Sequence, residues 1–173
     1  EPLSLEVDDD ALADGSNPAS PDEVDAGTIA FTAGSDPLTS FVFDASVAGL
    51  TGNLTWERVS DVLVRGSDGG TPVIELTLSA PASIGVGATD TVTITATLLD
   101  NYDTHPTFTA DDLLALGSMG VVASDIDGDS ITGTVNLSVS DDVPSIVAPD
   151  GTLGNDVGET LTALLQYDTQ ADG

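Results

Sequence analysis

A strict alternation of polar and apolar residues is the feature that most constrains the fold of this chain. From Thr91 to Leu98, threonine occupies every other position, and Val, Ile, Ala or Leu occupies the rest. A period of two residues places successive side chains on opposite faces of a β-strand, so the segment predicts a strand with one buried face. The same pattern recurs around Ile74, Leu76 and Leu78.

Further strand candidates are separated by turns rich in Gly and Asp. One alternating stretch predicts that Ile131, Val135, Leu137 and Val139 face inward, and shorter candidates cover 28–32, 40–43, 54–59, 62–65 and 119–124. A single helical turn is predicted over 111–116, with Thr109 as its cap. Together these signals predict an all-β fold, an antiparallel β-sandwich with long acidic loops and at most one short helical turn.

The charge balance excludes several classes of partner. The 173 residues include 30 Asp+Glu and 2 Lys+Arg, which gives a formal net charge of -28 at pH 7. This charge repels phosphate backbones and anionic headgroups, so we expect no nucleic-acid partner and no binding to membrane surfaces. No apolar run approaches the roughly 20 residues that span a bilayer, so we expect no membrane insertion.

The acidic residues are mostly aspartate, 24 Asp against 6 Glu. A short carboxylate suits turns and the tight oxygen cages that hold Ca²⁺, so this excess favours a Ca²⁺-stabilised sandwich with several ions as its cofactor. A halophilic or merely soluble surface is the alternative.

Two acidic motifs are candidate calcium sites. In the segment Asp125-Ile126-Asp127-Gly128-Asp129, alternate aspartates around a Gly turn would aim three carboxylates at one point. The same segment could be an ordinary hairpin turn. The runs Asp8-Asp9-Asp10 and Asp141-Asp142 place like charges side by side, where a bound cation would offset their repulsion. A solvated acidic surface is the alternative for these runs.

The least generic stretch is 98–106, which follows the clearest strand. Asp100, Asn101 and Asp103 could hold a Ca²⁺ ion and present it to a ligand, with Tyr102 and His105 beside them. The predicted ligand site also includes Trp56 and Arg58, although the arginines Arg58 and Arg65 could simply balance nearby acids. Because the chain has no Cys, one His and no recognisable nucleophile motif, we expect no enzymatic activity.

An internal echo suggests a boundary near residue 142. Residues 23–36 resemble 159–172, and residues 2–8 resemble 144–150. We therefore predict a calcium-bound sandwich module at 1–142. Residues 143–173 would be the start of a second copy or extra strands of the same sandwich.

Several motifs in order resemble one known family. Val7-Asp8-Asp9-Asp10-Ala11-Leu12 is followed by the 98–106 stretch, then by Asp125-Ile126-Asp127-Gly128-Asp129, and then by Asp141-Asp142-Val143-Pro144. This order resembles the agglutinin-type repeat of giant RTX (repeats-in-toxin) adhesins exported by type I secretion in Gram-negative bacteria. The glycine-rich nonapeptide of the RTX β-roll is missing from the chain.

The resemblance implies a secreted protein of the bacterial cell surface. Modules of this kind include a peptide-binding domain that captures the C-terminal end of a partner protein with help from calcium. The implied function is therefore calcium-dependent binding to a surface protein or peptide, in cell-cell or cell-host adhesion and biofilm formation, with neighbouring adhesin domains as further partners. The alternative is a non-binding extender that calcium stiffens to project other adhesin domains.

Overall fold

The computed structural model describes residues 1–102, 113–140 and 142, and the backbone of two short strands at 145–147 and 166–168. The strands are β1 (Leu3–Asp8), β2 (Val24–Thr32), β3 (Leu38–Phe43), β4 (Thr55–Ser60), β5 (Leu63–Asp68), β6 (Thr71–Ser79), β7 (Thr89–Leu98), β8 (Leu114–Asp125), β9 (Ser130–Ser140), β10 (Ser145–Val147) and β11 (Gln166–Asp168). A single 3-10 turn, Asp9–Ala11, is the only helical element among the described residues. The predicted all-β class is confirmed.

Two sheets pack together as a sandwich. The first has the strand order β1-β9-β8-β3, and the second has the order β2-β7-β6-β5-β4. All pairings within these two sheets are antiparallel except one, because β1 runs parallel to β9, with Leu3 opposite Val135 and Asp8 opposite Ser140. This parallel pair joins the first strand of the chain to the last strand of the sandwich.

The core is built from the alternating faces that the sequence predicts. Val92, Ile94 and Ala96 on β7 are fully buried, as are Ile74 and Leu76 on β6. Between the sheets, the rings of Phe31 and Phe41 lie 6.2 Å apart at a tilt of 58°. Burying each large side chain contributes about 1.5–3 kcal/mol, so a dense aliphatic core stabilises the fold despite its few aromatic residues.

Two local predictions are wrong. Ile131 was expected in the core, but it lies close to the hairpin end of β9 and is 50% exposed. The helical turn predicted for 111–116 is replaced by strand from Leu114 onwards, since β8 pairs with β9 up to Val139. Residues 111 and 112 lie outside the described part of the chain. Long-range pairing with a neighbouring strand has overridden a weak local helix signal here.

Backbone contacts connect the two sheets along both sides. On one side, Phe43 N donates to Asp61 O at 2.8 Å. On the other side, Asp8 N donates to Asp22 O at 3.0 Å, and Glu6 N donates to the Asp25 carboxylate at 3.0 Å. These bonds use backbone donors of the outer strands β1 and β3, which would otherwise be open to pairing with another chain.

The acidic motifs lie at opposite ends of the sandwich. The β8–β9 hairpin holds Asp125 to Asp129 at one end. Strands β1 and β9 both run away from that hairpin, so Asp8 to Asp10 and Asp142 lie at the other end. Leu98 N bonds to Glu23 O at 2.8 Å, which places the start of the 98–106 stretch at this second end as well.

The segment after residue 142 contributes a separate two-stranded antiparallel sheet, β10 with β11. Its two strands fall within the stretches that echo β1 and β2 in the sequence. Whether 143–173 is a second copy or part of the same domain stays a prediction.

Candidate functional site

An acidic cluster forms where β1 and β9 end. We define it as Asp8, Asp9, Asp10, Asp22 and Asp142. Asp8 caps the 3-10 turn by accepting a hydrogen bond from Asp10 N at 3.0 Å. Asp142 is 6% exposed and accepts a hydrogen bond from Ser16 N at 2.7 Å, across 126 residues of sequence. The parallel pairing of β1 with β9 therefore gathers carboxylates that lie far apart in the chain.

The electrostatics of the cluster are unfavourable without a cation. Burial raises the pKa of the Asp10 carboxyl, and the nearby charges of Asp8, Asp142 and Asp22 raise it further, while a hydrogen bond with Asn17 lowers it. The neighbouring Asp9 is fully buried. Two like charges about 4 Å apart repel by about 4 kcal/mol at an effective dielectric constant of about 20. The fold therefore holds these carboxylates together against substantial repulsion.

Neither arginine of the chain pairs with the cluster. The chain has two Lys+Arg residues, Arg58 and Arg65. Arg58 pairs with Asp61 at 2.8 Å, and Arg65 pairs with Glu75 at 2.6 Å. Both pairs belong to the β4–β6 side of the second sheet. Both arginines are therefore engaged away from the cluster.

The oxygens of the cluster suit a hard divalent cation. Asp10 Oδ1 is buried and accepts no hydrogen bond from the residues that the structure describes, and the same is true of Oε2 of Glu23, the residue after Asp22. Calcium prefers six to eight oxygen ligands, mostly carboxylates and carbonyls. Within the described residues, however, no three His, Cys, Asp or Glu side chains are already drawn into the geometry of a metal site. A bound ion would have to pull the carboxylates closer together.

The Asp125–Asp129 segment forms a self-contained hairpin turn. Oδ1 of Asp125 accepts hydrogen bonds from Asp127 N at 3.0 Å and from Asp129 N at 2.9 Å. The backbone closes the turn again, with Asp125 N donating to Asp129 O at 3.0 Å. Asp127 and Asp129 are both exposed. The geometry matches the hairpin alternative, and calcium binding here stays a prediction.

The described part of the 98–106 stretch combines an exposed acid with a buried anchor. Asp100 is exposed, and its Oδ1 accepts a hydrogen bond from Asn101 N at 3.1 Å. Tyr102 is 3% exposed, and its hydroxyl accepts from Asn53 N at 2.7 Å. Gly52 has a φ of +86°, and a Cβ there would lie 2.9 Å from the tyrosine hydroxyl. Tyr102 therefore anchors the loop in the core, and its contact with a ligand stays a prediction.

The two other predicted ligand residues also have structural partners. Trp56 is partly buried against the core, and its indole N–H donates to Thr51 O at 2.7 Å. Arg58 donates from Nε to Phe43 O at 3.1 Å and from Nη2 to Asp61. Arg58 thus connects β4 to the edge strand β3 of the opposite sheet. The remaining predicted site residues, Asp103, His105 and Asp141, lie outside the described residues.

Sequence reasoning missed the acids of the loop before β2. Asp22 joins the cluster because its backbone carbonyl accepts a hydrogen bond from Asp8 N on β1. The next residue, Glu23, lies beside the cluster, and its carbonyl accepts from Leu98 N at the end of β7. Asn17 is fixed near Asp10 by a backbone bond of 2.8 Å to Asp10 O. Proximity in sequence could have suggested Asn17. Nothing in the local sequence indicates the long-range pairing that brings Asp142 to the same place.

Comparisons with known proteins leave the geometry as the main guide to function. No protein-family model, curated protein or solved structure matches the chain. Among the described residues, no helix is both long enough and apolar enough to cross a membrane.

Proposed function

We propose that this chain is a calcium-dependent ligand-binding module of a cell-surface RTX adhesin. Its ligand is a surface protein or peptide, which it binds at the C-terminal carboxylate of that partner. The observation that carries the calcium requirement is the acidic cluster, in which the Asp10 carboxyl lies among the charges of Asp8, Asp142 and Asp22 and its buried Oδ1 has no hydrogen-bond partner among the described residues. Calcium at the cluster offsets the repulsion among its carboxylates and fixes the end of the sandwich.

The ligand assignment rests on position. Asp100 is exposed at the same end of the sandwich as the acidic cluster, on a loop anchored by the buried Tyr102. An exposed carboxylate on a rigid support suits a calcium ion with open coordination sites. Such an ion attracts the carboxylate of a peptide, which the net charge of the protein would otherwise repel. The resemblance to RTX adhesins supplies the cell-surface setting and the adhesive role.

Calcium dependence is tested by thermal unfolding in calcium and in EDTA. An ion at a hundredfold excess over its dissociation constant contributes about 2.7 kcal/mol per site. We therefore expect a melting temperature many degrees higher in calcium, with bound ions counted by isothermal titration calorimetry. Equal melting temperatures and no calorimetric signal would contradict the calcium assignment.

Peptide binding is tested separately, with the protein folded in calcium. Arrays of peptides with a free C-terminal carboxylate are compared with the same sequences carrying a C-terminal amide. We expect binding only to the free carboxylate, and loss of binding for Asp100→Ala without loss of fold. Equal binding to both peptide forms, or to neither, would contradict carboxylate capture.

The extender function is the second candidate, and one observation favours it. Three of the residues predicted to contact a ligand, Tyr102, Trp56 and Arg58, have their polar groups occupied by contacts within the domain. An extender predicts that calcium changes only the stability of the protein and that no peptide binds. The two experiments above therefore distinguish the two candidates.

A further inference from the structure

The first and last strands of the sandwich lie side by side and run in the same direction. β1 pairs with β9 over six residues, from Leu3 opposite Val135 to Asp8 opposite Ser140. Leu3 is the first residue of β1, and Ser140 is the last residue of β9. The chain therefore enters the sandwich at one end of this strand pair and leaves it at the other end.

This placement determines how tension along the chain acts on the fold. A pull on the chain before Leu3 and after Ser140 draws β1 and β9 past each other, parallel to their axes. The bonds between the two strands are then loaded in shear and share the force. In a hairpin pulled at its adjacent ends, by contrast, the bonds break one pair at a time. Because the force passes directly from β1 to β9, the antiparallel pairs of both sheets stay unloaded until this pair fails.

Hydrogen bonds hold β1 on both of its sides. Glu6 N donates to the Asp25 carboxylate at 3.0 Å, and Asp8 N donates to Asp22 O at 3.0 Å. Both donors therefore point away from β9, toward the start of β2. Successive residues of a strand direct their backbone groups to opposite sides, so the odd-numbered residues of β1 bond to β9. A shearing force must break bonds on both sides of β1.

Side chains add to the resistance against sliding. Leu5 is 1% exposed and Val7 is 0% exposed, so movement of β1 along β9 removes two packed side chains from the core. The Ser138 hydroxyl on β9 donates to Leu5 O at 3.3 Å. Just beyond β9, the Asp142 carboxylate accepts from Ser16 N, in the loop that follows β1, at 2.7 Å. The two strands and their flanking loops are thus connected along the full overlap.

We propose that the β1–β9 pair is a mechanical clamp, and that this module resists tension applied along its own chain. The clamp fails as one unit, because its backbone bonds and the buried side chains of β1 oppose sliding together. This function goes beyond the ligand binding proposed above, since the clamp needs no peptide. A module of this kind suits a position between two points of attachment that are pulled apart.

The test is single-molecule force spectroscopy of the full chain in calcium, with two pulling geometries. In the first, handles are attached to the two ends of the chain, so the clamp is loaded in shear. In the second, one handle stays at the N-terminus and the other is attached to the thiol of an Asp127→Cys variant, since the natural chain has no Cys. Asp127 lies in the β8–β9 hairpin, near the end of the sandwich where β1 begins, so β1 peels from β9 one residue at a time. The peak unfolding force should be about twofold or more higher in the first geometry, because forced unfolding follows the barrier of the loaded step.

Two matched variants locate the resistance within the clamp. Val7 on β1 and Val92 on β7 are both fully buried, so Val7→Ala and Val92→Ala remove the same atoms from the core. Urea unfolding measures the equilibrium stability that each variant loses. At constant force on the chain ends, Val7→Ala should unfold about tenfold faster than the unsubstituted protein, and Val92→Ala less than about twofold faster. Only interactions that break in the rate-limiting step change the unfolding rate.

Two outcomes would overturn the clamp. One is an equal peak force in the two pulling geometries, and the other is an equal acceleration of unfolding in the two valine variants. Opening of β10 and β11 is a separate event with a shorter extension, because these strands follow the clamp and pair over three residues. Loss of peptide binding changes none of these measurements, so failure of the clamp and failure of the ligand site are distinguishable.

Discussion

At the scale of single residues, the most informative position is Asp10. Its carboxyl is partly buried among three other aspartates, and burial and repulsion raise its pKa. A charged side chain in this position destabilises the fold unless something offsets the repulsion. Most buried charges are paired, so an acid retained against repulsion is a sign of a missing partner.

We expect Asp10→Asn to change stability in opposite directions with and without calcium. In EDTA the melting temperature should rise, because the substitution removes a repelled charge while keeping an amide of the same size. The increase in melting temperature on adding calcium should be smaller than in the unsubstituted protein, because one ligand charge is lost. Asp14→Asn is the matched control, since Asp14 is exposed in the same loop. A lower melting temperature in EDTA for Asp10→Asn alone would contradict the assignment.

The raised pKa of Asp10 also sets the sign of a pH effect. The folded protein binds a proton at Asp10 more tightly than the unfolded chain does, so stability falls as pH rises from the ordinary value of 3.8 through the raised pKa. Urea unfolding in EDTA across this range should show the decline. In the Asp10→Asn protein, the unfolding free energy should fall less steeply with pH. An unchanged slope would show that Asp10 does not cause the decline.

At the scale of elements, the Asp125 hairpin and the acidic cluster differ in what interacts with their carboxylates. The Asp125 hairpin uses its first carboxylate to bind its own backbone, whereas the acidic cluster depends on three separate segments of the chain. A local turn can form without metal, but a cluster assembled from distant segments needs something to offset its charge.

A substitution at Asp125 distinguishes the two interpretations of the Asp125–Asp129 segment, an ordinary hairpin turn and a metal-binding loop. Asp125→Ala should destabilise the domain by about 1–2 kcal/mol, because two backbone donors lose their acceptor. Asp125→Asn should restore most of that stability, since its amide oxygen can accept the same bonds. Both effects should be equal in calcium and in EDTA, as measured by urea unfolding. A loss confined to calcium would instead support the metal loop that the sequence predicted.

The Tyr102 anchor gives a second prediction at this scale. Tyr102→Phe leaves Asn53 N without the hydroxyl that lies 2.7 Å away. We expect a loss of about 1–3 kcal/mol in unfolding free energy. Calcium affinity, measured by calorimetry, should stay the same because the tyrosine is in the core. A large fall in calcium affinity would place Tyr102 in the metal site.

At the scale of the whole molecule, the sequence predicted the layers of the fold better than their connections. The alternation of polar and apolar residues on β6 and β7 identified the buried residues, because successive side chains of a strand point to opposite faces and the apolar ones are buried. The parallel placement of β1 beside β9 could not be predicted, because it depends on a contact across the entire domain. The acidic cluster was predicted as two separate runs, and Asp22 was missed for the same reason.

The net charge gives a prediction for the entire molecule. In EDTA, sodium chloride should raise the melting temperature gradually, because it screens repulsion among exposed carboxylates. Calcium at the same ionic strength should raise it much more, since a bound ion acts on buried groups that salt screens poorly. Magnesium at the same concentration is the control, because its strict octahedral geometry suits an irregular oxygen cage less well. Equal effects of all three salts would indicate screening alone.

The bond between Ser16 and Asp142 has a consequence for biosynthesis. The partner of the first strand is among the last parts of the sandwich to leave the ribosome, and contacts of such long sequence separation form late. During translation the opening strand must remain undocked until nearly the full module exists. On the calcium proposal, the module closes only where divalent ions are available to offset the charge of the acidic cluster.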